Sequence, residues 1–195
     1  MWVRMESVLV WMLLFVTLFS RPSSSVVRNL SDISEGNYGL SGISHITVAG
    51  AVHHGMKEIE VWLQTFAPGS GTPIHRHDCE EVLLVLRGTG TLLLAEPGLE
   101  HPGETTQFQF SQNSTIAVPR NAVHQIINTG DEDVQLSAVM SRPPVRVFVY
   151  QSFSIPHAEA VHFPVPWDMQ CFAAGQGYFG ALYLHKRDFS SQEPL

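Results

Sequence analysis

Cysteine is scarce: only Cys79 and Cys171 occur in 195 residues. That excludes a disulfide-dense scaffold and leaves stability to a hydrophobic core. Positive charge is short as well. Lys and Arg number 11 against 18 Asp and Glu, the formal net charge is -7, and no basic cluster exceeds Lys186-Arg187. Nothing in the chain could neutralise a phosphate backbone, so a nucleic-acid partner is excluded. No long apolar run follows Phe19, so no later segment is expected to span a bilayer as a helix. Internal repeats and low-complexity blocks are also missing.

What is present points to one compact domain. Apolar residues make up 44% and charged ones 15%, a balance that folds rather than staying disordered. The length suits one domain with a sizeable core better than two. The opening stretch, MWVRMESVLVWMLLFVTLFSRPSSS, has a single early basic residue, Arg4, then an apolar run from Val8 to Phe19, then small polar residues. This layout predicts a signal peptide over residues 1–25, cleaved within Ser23 to Ser25, and a secretory route. A membrane anchor is the weaker alternative, because the run falls well short of the about 20 residues a spanning helix needs. Two N-glycosylation sequons, at Asn29 and Asn113, agree with that route.

Beyond residue 43 the sequence consists of short apolar or alternating runs separated by turn residues. In Glu58 to Phe66, Ile59, Val61 and Leu63 face one way and Glu60, Trp62 and Gln64 the other. Val82 to Leu86 and Thr91 to Ala95 flank Arg87-Gly88-Thr89-Gly90, which reads as a hairpin loop. Further strands are expected at 107–110, 115–118, 124–127, 134–140 and 145–150. So many short strands argue for an all-β sandwich or barrel. The one stretch expected to form a short helix is Trp167 to Ala174.

The chemistry concentrates in TPIHRHDCEEVLLVLRGTG, Thr72 to Gly90. Period-two alternation points His75 and His77 the same way, with Glu81 and Cys79 in the same parity and Asp78 and Glu80 facing away. His124 opens a later strand, and antiparallel pairing would bring its imidazole to the same point. Three imidazoles and a carboxylate suit zinc, manganese or non-haem iron about equally. Cys79 reads as a buried thiol beside the site.

The spacing Gly69-x5-His75-x-His77-x3-Glu81-x6-Gly88, followed by Pro119-x4-His124-x3-Asn128, resembles the two motifs of the cupins. That resemblance implies a small β-barrel (double-stranded β-helix or jelly roll) with a central metal. In the second motif Asn113 and Asn121 stand where the family has glycines, and asparagine is the next residue to tolerate the left-handed backbone. Thr72-Pro73-Ile74-His75-Arg76-His77, Cys79-Glu80-Glu81, Pro119, His124-Gln125, Trp167-Asp168 and Cys171 narrow the resemblance further. They look like the auxin-binding proteins of the plant endoplasmic reticulum, over residues 26–171, with 172–195 as a divergent tail.

This resemblance implies zinc on His75, His77, Glu81 and His124, taking the carboxylate of an auxin. It also implies ring contacts from Trp62, Thr72, Pro73 and Trp167, with Gln64 near the carboxylate. Leu83 stands where the family has phenylalanine. A glycosylated homodimer, residence in the lumen of the endoplasmic reticulum and cell-surface receptor-like kinases as partners are further implications.

Two departures stand out. No cysteine precedes Cys79, so the family's bridge from the N-terminal region to the equivalent of Cys171 has no first partner. The chain ends Gln192-Glu193-Pro194-Leu195 in place of the family's Lys-Asp-Glu-Leu, which predicts secretion in place of retrieval. The functional expectation is a non-enzymatic hormone receptor. The alternative is a cupin oxidase or dioxygenase using manganese or iron at the same ligands.

Overall fold

The computed structural model describes residues 26–33, 35–37, 40–98 and 100–162. The predicted signal peptide, the expected helix at 167–174, Trp167, Cys171 and the tail lie outside the described residues. Eleven strands appear among those described: β1 (Ile43–Ala49), β2 (Ile59–Phe66), β3 (Ile74–His77), β4 (Glu81–Arg87), β5 (Thr89–Ala95), β6 (Thr105–Ser111), β7 (Thr115–Val118), β8 (His124–Ile127), β9 (Val134–Ser141), β10 (Val147–Tyr150) and β11 (Val161–His162). They form a five-stranded sheet, ordered β1-β2-β9-β4-β7, and a six-stranded sheet, ordered β11-β10-β3-β8-β5-β6. Every pairing is antiparallel. The fold is the expected all-β, cupin-type barrel.

Alternation builds the interior. On β9 every second residue, Val134, Leu136, Ala138 and Met140, is fully buried. On β4 the buried set is Glu81, Leu83 and Val85. On β2 the inward set is Glu60, Trp62, Gln64 and Phe66. The more polar side of β2 thus faces the core, and Ile59, Val61 and Leu63 face outward.

Those outward residues continue into an apolar stripe. Val61 pairs with Val139, which pairs with Val82. Val82, Leu84 and Leu86 are 44%, 41% and 43% exposed, an unusual concentration for a sheet's solvent side.

Two sequence expectations need correction. Arg87 to Gly90 is not a hairpin loop, because β4 and β5 belong to different sheets and do not pair. Gly88, at φ +84, turns the chain from one sheet into the other, and a Cβ there would sit 2.6 Å from the Asp133 carbonyl oxygen. A glycine between two short apolar runs carries the same local signal for a sheet-switching corner as for a hairpin. Second, a one-turn helix, α1 (Ala51–His54), forms where none was expected, between Gly50 and the left-handed Gly55. Asn113 and Asn121 take the left-handed conformation inferred for them, with φ 69 and 64.

Asn128 fastens the loop beneath the site. Its Nδ2 donates to the carbonyls of Phe66 and Glu132, both at 2.8 Å, and its Oδ1 accepts from the Gly130 amide at 3.0 Å. The side chain is 1% exposed, so its loss strands buried backbone groups without partners. Asn128→Ala is therefore expected to lower unfolding free energy by about 2–4 kcal/mol, read from urea denaturation midpoints at unchanged slope. A cost below about 0.5 kcal/mol would contradict this role.

Candidate metal centre

β3 and β8 lie side by side in the six-stranded sheet, with His75 directly opposite His124. Their rings approach to 4.2 Å between centroids, and His77, two residues along β3, lies 5.1 Å from His124. His75, His77 and His124 are all buried, and their ligand atoms fall within 4.8 Å of one another. Glu81 arrives from the facing sheet. The chain bends through Asp78 to Glu80 between β3 and β4, so Glu81 does not reach the site by continuing the parity of His75 and His77. The turn delivers it by crossing the barrel. Asp78 and Glu80 lie outside the histidine group, and Glu80 is exposed.

Each imidazole is held in one tautomer by a backbone carbonyl two residues away. His75 Nδ1 donates to Pro73 O at 2.8 Å, His77 Nδ1 to Cys79 O at 3.0 Å and His124 Nδ1 to Ala122 O at 3.0 Å. With Nδ1 engaged by a carbonyl, Nε2 is the nitrogen of each ring that remains to face the interior. Glu81 Oε2 meets two of them, at 3.2 Å from His77 Nε2 and 3.3 Å from His124 Nε2.

The electrostatics follow from burial. Desolvation, then the nearby His124 and His77, hold His75 well below the usual histidine range. Desolvation also pushes His77 down, but its contacts with Cys79 and Glu81 outweigh this and raise it to about 10. Desolvation pushes Glu81 up, and hydrogen bonds with His124 and His77 outweigh it, holding the carboxyl well below the usual carboxylate range. The metal-free centre is thus a buried ion pair. A cation that replaces the His77 proton finds an ionised Glu81 and a neutral His75 already in place, and the set of three imidazoles and a carboxylate fits a divalent transition metal. Cys79 is a free, buried thiol with Sγ 3.4 Å from His77 Nδ1, outside the three-histidine group.

A cavity adjoins the centre, lined by Trp62, Gln64, Thr72 and Pro73, the four described residues that the sequence nominated as ligand contacts. Sequence reasoning missed Ile43, Phe66, Ile126 and Val147, which complete the apolar wall. Trp62 Nε1 donates to Glu60 Oε1 at 2.7 Å, which fixes the indole. Gln64 Nε2 lies 3.3 Å from His45 Nδ1, and burial holds His45 neutral, at about 3. Glu60 and His45 were also missed. Their one available signal was parity, since Glu60 alternates in phase with Trp62 and Gln64. Thr72 Oγ1 accepts from the Ile126 amide at 2.9 Å and so ties this wall to β8.

Known proteins resemble the chain in sequence and in fold. A family model described as auxin binding protein matches residues 20–178. Auxin-binding protein 1 of Arabidopsis thaliana is 55% identical over 152 residues, covering 77% of this chain and 77% of the relative. Auxin-binding protein T85 of Nicotiana tabacum is 52% identical over 172 residues, covering 85% and 92%. Among solved structures, an oxalate decarboxylase–formate complex of Lactobacillus farciminis superposes with a TM-score of 0.52 at 18% identity, over 59% of this chain and 32% of that one. An oxalate decarboxylase of Bacillus subtilis, described with Mn(II) centres, gives 0.51 at 19% identity, over 58% and 29%. At such identity these two show the shared fold alone.

Because metal must displace the proton on His77, affinity is expected to rise with pH throughout the range below about 10. For one displaced proton the gain is about tenfold per pH unit. Zinc titration calorimetry in two buffers of different ionisation enthalpy measures that proton directly, and identical heats in both would contradict the His77–Glu81 ion pair.

Proposed function

The chain belongs to the auxin-binding protein family, and from that premise we propose that it is a zinc-dependent auxin receptor. His75, His77, Glu81 and His124 hold the ion, and the protein acts in hormone signalling without turnover. The observation that carries this reading is the convergence of three tautomer-fixed Nε2 atoms and an ionised carboxylate at the end of a mostly apolar pocket. Bound zinc supplies a Lewis-acidic charge for the auxin carboxylate. The chain supplies the rest. Trp62, Pro73 and the Thr72 methyl offer flat and apolar surface for an aromatic ring. Gln64, braced by His45, offers the wall's polar group.

The free space in the cavity is ≈ 20 Å³, about enough for one water molecule. An aromatic acid therefore enters only as side chains move aside.

The manganese or iron enzyme reading draws on the same donor set, which accepts those metals too. Metal analysis of the purified protein separates the two. The apolar stripe through Val82 and Leu84 supports a homodimer formed on the outer face of the five-stranded sheet. Leu84→Glu is expected to sediment as a monomer where the parent sediments as a dimer, and equal sedimentation would sink this assignment.

His75→Ala combined with His77→Ala is expected to abolish zinc and auxin binding together while the barrel keeps its far-ultraviolet dichroism. A folded double variant that binds an aromatic auxin as tightly as the parent would defeat a metal–carboxylate mechanism.

A further inference from the structure

Arg76 alternates with His75 and His77 on β3 and so lies on the opposite, outer face of the six-stranded sheet. Its Nε is buried without a hydrogen-bond partner. Among the described residues its guanidinium joins no ion pair. A buried polar atom without a partner calls for an explanation, and an ion that binds there is one.

The surroundings hold the guanidinium among aromatic and imidazole rings. Across the sheet the register runs Arg76, Phe148, His162. The guanidinium carbon stands 5.8 Å from the Phe148 ring centroid, and His162 stacks on the same ring at 4.7 Å. Tyr150, two residues along β10, bonds through its hydroxyl to His157 Nδ1 at 2.8 Å, and His157 meets Phe148 edge-on at 4.8 Å. Rings orient the guanidinium, but none of them neutralises it. The Arg76 charge reaches its neighbours: burial, then Arg76, lowers His157, while at Tyr150 burial raises the phenol and Arg76 opposes it. Three acids are near in the chain or the fold: Asp78 at the bend that follows β3, Glu159 in the turn of His157, and Glu100, whose carbonyl accepts the His157 amide. None of them bonds Arg76.

We propose that this outer cluster is a binding site for a small oxyanion, held by the Arg76 guanidinium with the Tyr150 hydroxyl and the His157 imidazole at its flank. The guanidinium fork matches phosphate and carboxylate oxygens alike. In the empty site the tyrosine O–H donates to neutral His157 Nδ1. A bound anion offsets the Arg76 charge and lets His157 take up a proton. Nδ1–H then donates to the tyrosine oxygen, and the tyrosine O–H turns to the anion. The proton comes from solvent, and no other group changes state.

The site is on the outer face, so its test is independent of the auxin reading. The experiment titrates the metal-loaded mature protein with sodium phosphate, and in a parallel arm with sodium acetate, at ionic strength held constant with sodium chloride. Histidine and tyrosine side-chain resonances report binding. A saturable shift at His157 and Tyr150 is expected, with its own midpoint whether or not the signals of His75, His77 and His124 respond to anion at the metal; whichever arm saturates at lower concentration identifies phosphate-type or carboxylate-type anions as the preferred class. Arg76→Gln is expected to weaken binding about tenfold or more, and Tyr150→Phe, which keeps the cation, by less. Two results would overturn the proposal. One is the absence of any saturable shift in the parent with either anion. The other is a folded Arg76→Gln variant that responds as the parent does.

Discussion

Three hydrogen bonds from imidazole Nδ1 atoms to backbone carbonyls decide what the interior of this barrel can do. Each carbonyl belongs to a residue two positions from its histidine, so the tautomer is set by strand geometry and not by other side chains. Once Nδ1 is committed to a carbonyl, Nε2 alone faces the centre, as a metal ligand or, protonated as in His77, as a donor to Glu81. Burial then makes the charged state of the group unfavourable unless a carboxylate answers it. Glu81 does so from the opposite sheet, and the centre needs both sheets in register to exist.

The same requirement explains the pocket. The inner side of β2 carries Glu60, Trp62 and Gln64, polar or bulky groups that a simple core would reject. Each is held by a specific bond: Trp62 to Glu60, and Gln64 to His45. These bonds keep an otherwise costly interior ordered. They also leave the pocket wall mostly apolar, with Gln64 as its polar group. The neutral, fully buried His45 stands behind this wall and braces Gln64.

Much of this was legible in the sequence because the local periodicities were clean. His75-x-His77 fixed two ligands on one face, and the short strands at even spacing disclosed a β-barrel. Asn113 and Asn121 could be assigned a left-handed backbone from residue chemistry alone. What the sequence hid was every relation between sheets. Gly88 looked like the tip of a hairpin, because a local signal does not record which sheet the next strand joins. Glu81 seemed to reach the centre by parity, yet the bend at Asp78 to Glu80 carries it there across the barrel. The one-turn helix at Ala51–His54 is too short to show a period, and the histidine in β1 that braces Gln64 had no motif to mark it. Long-range pairing, not local propensity, supplied these contacts.

In the function proposed here, a metal-held carboxylate site walled by Trp62 and its neighbours binds auxin. The most direct measurement is calorimetric titration of an aromatic auxin into the purified mature protein, zinc-loaded and metal-stripped in parallel. Saturable heat from the loaded protein that vanishes on stripping is the predicted result. Equal saturable binding by both forms, or none by folded, zinc-loaded protein, would contradict the account.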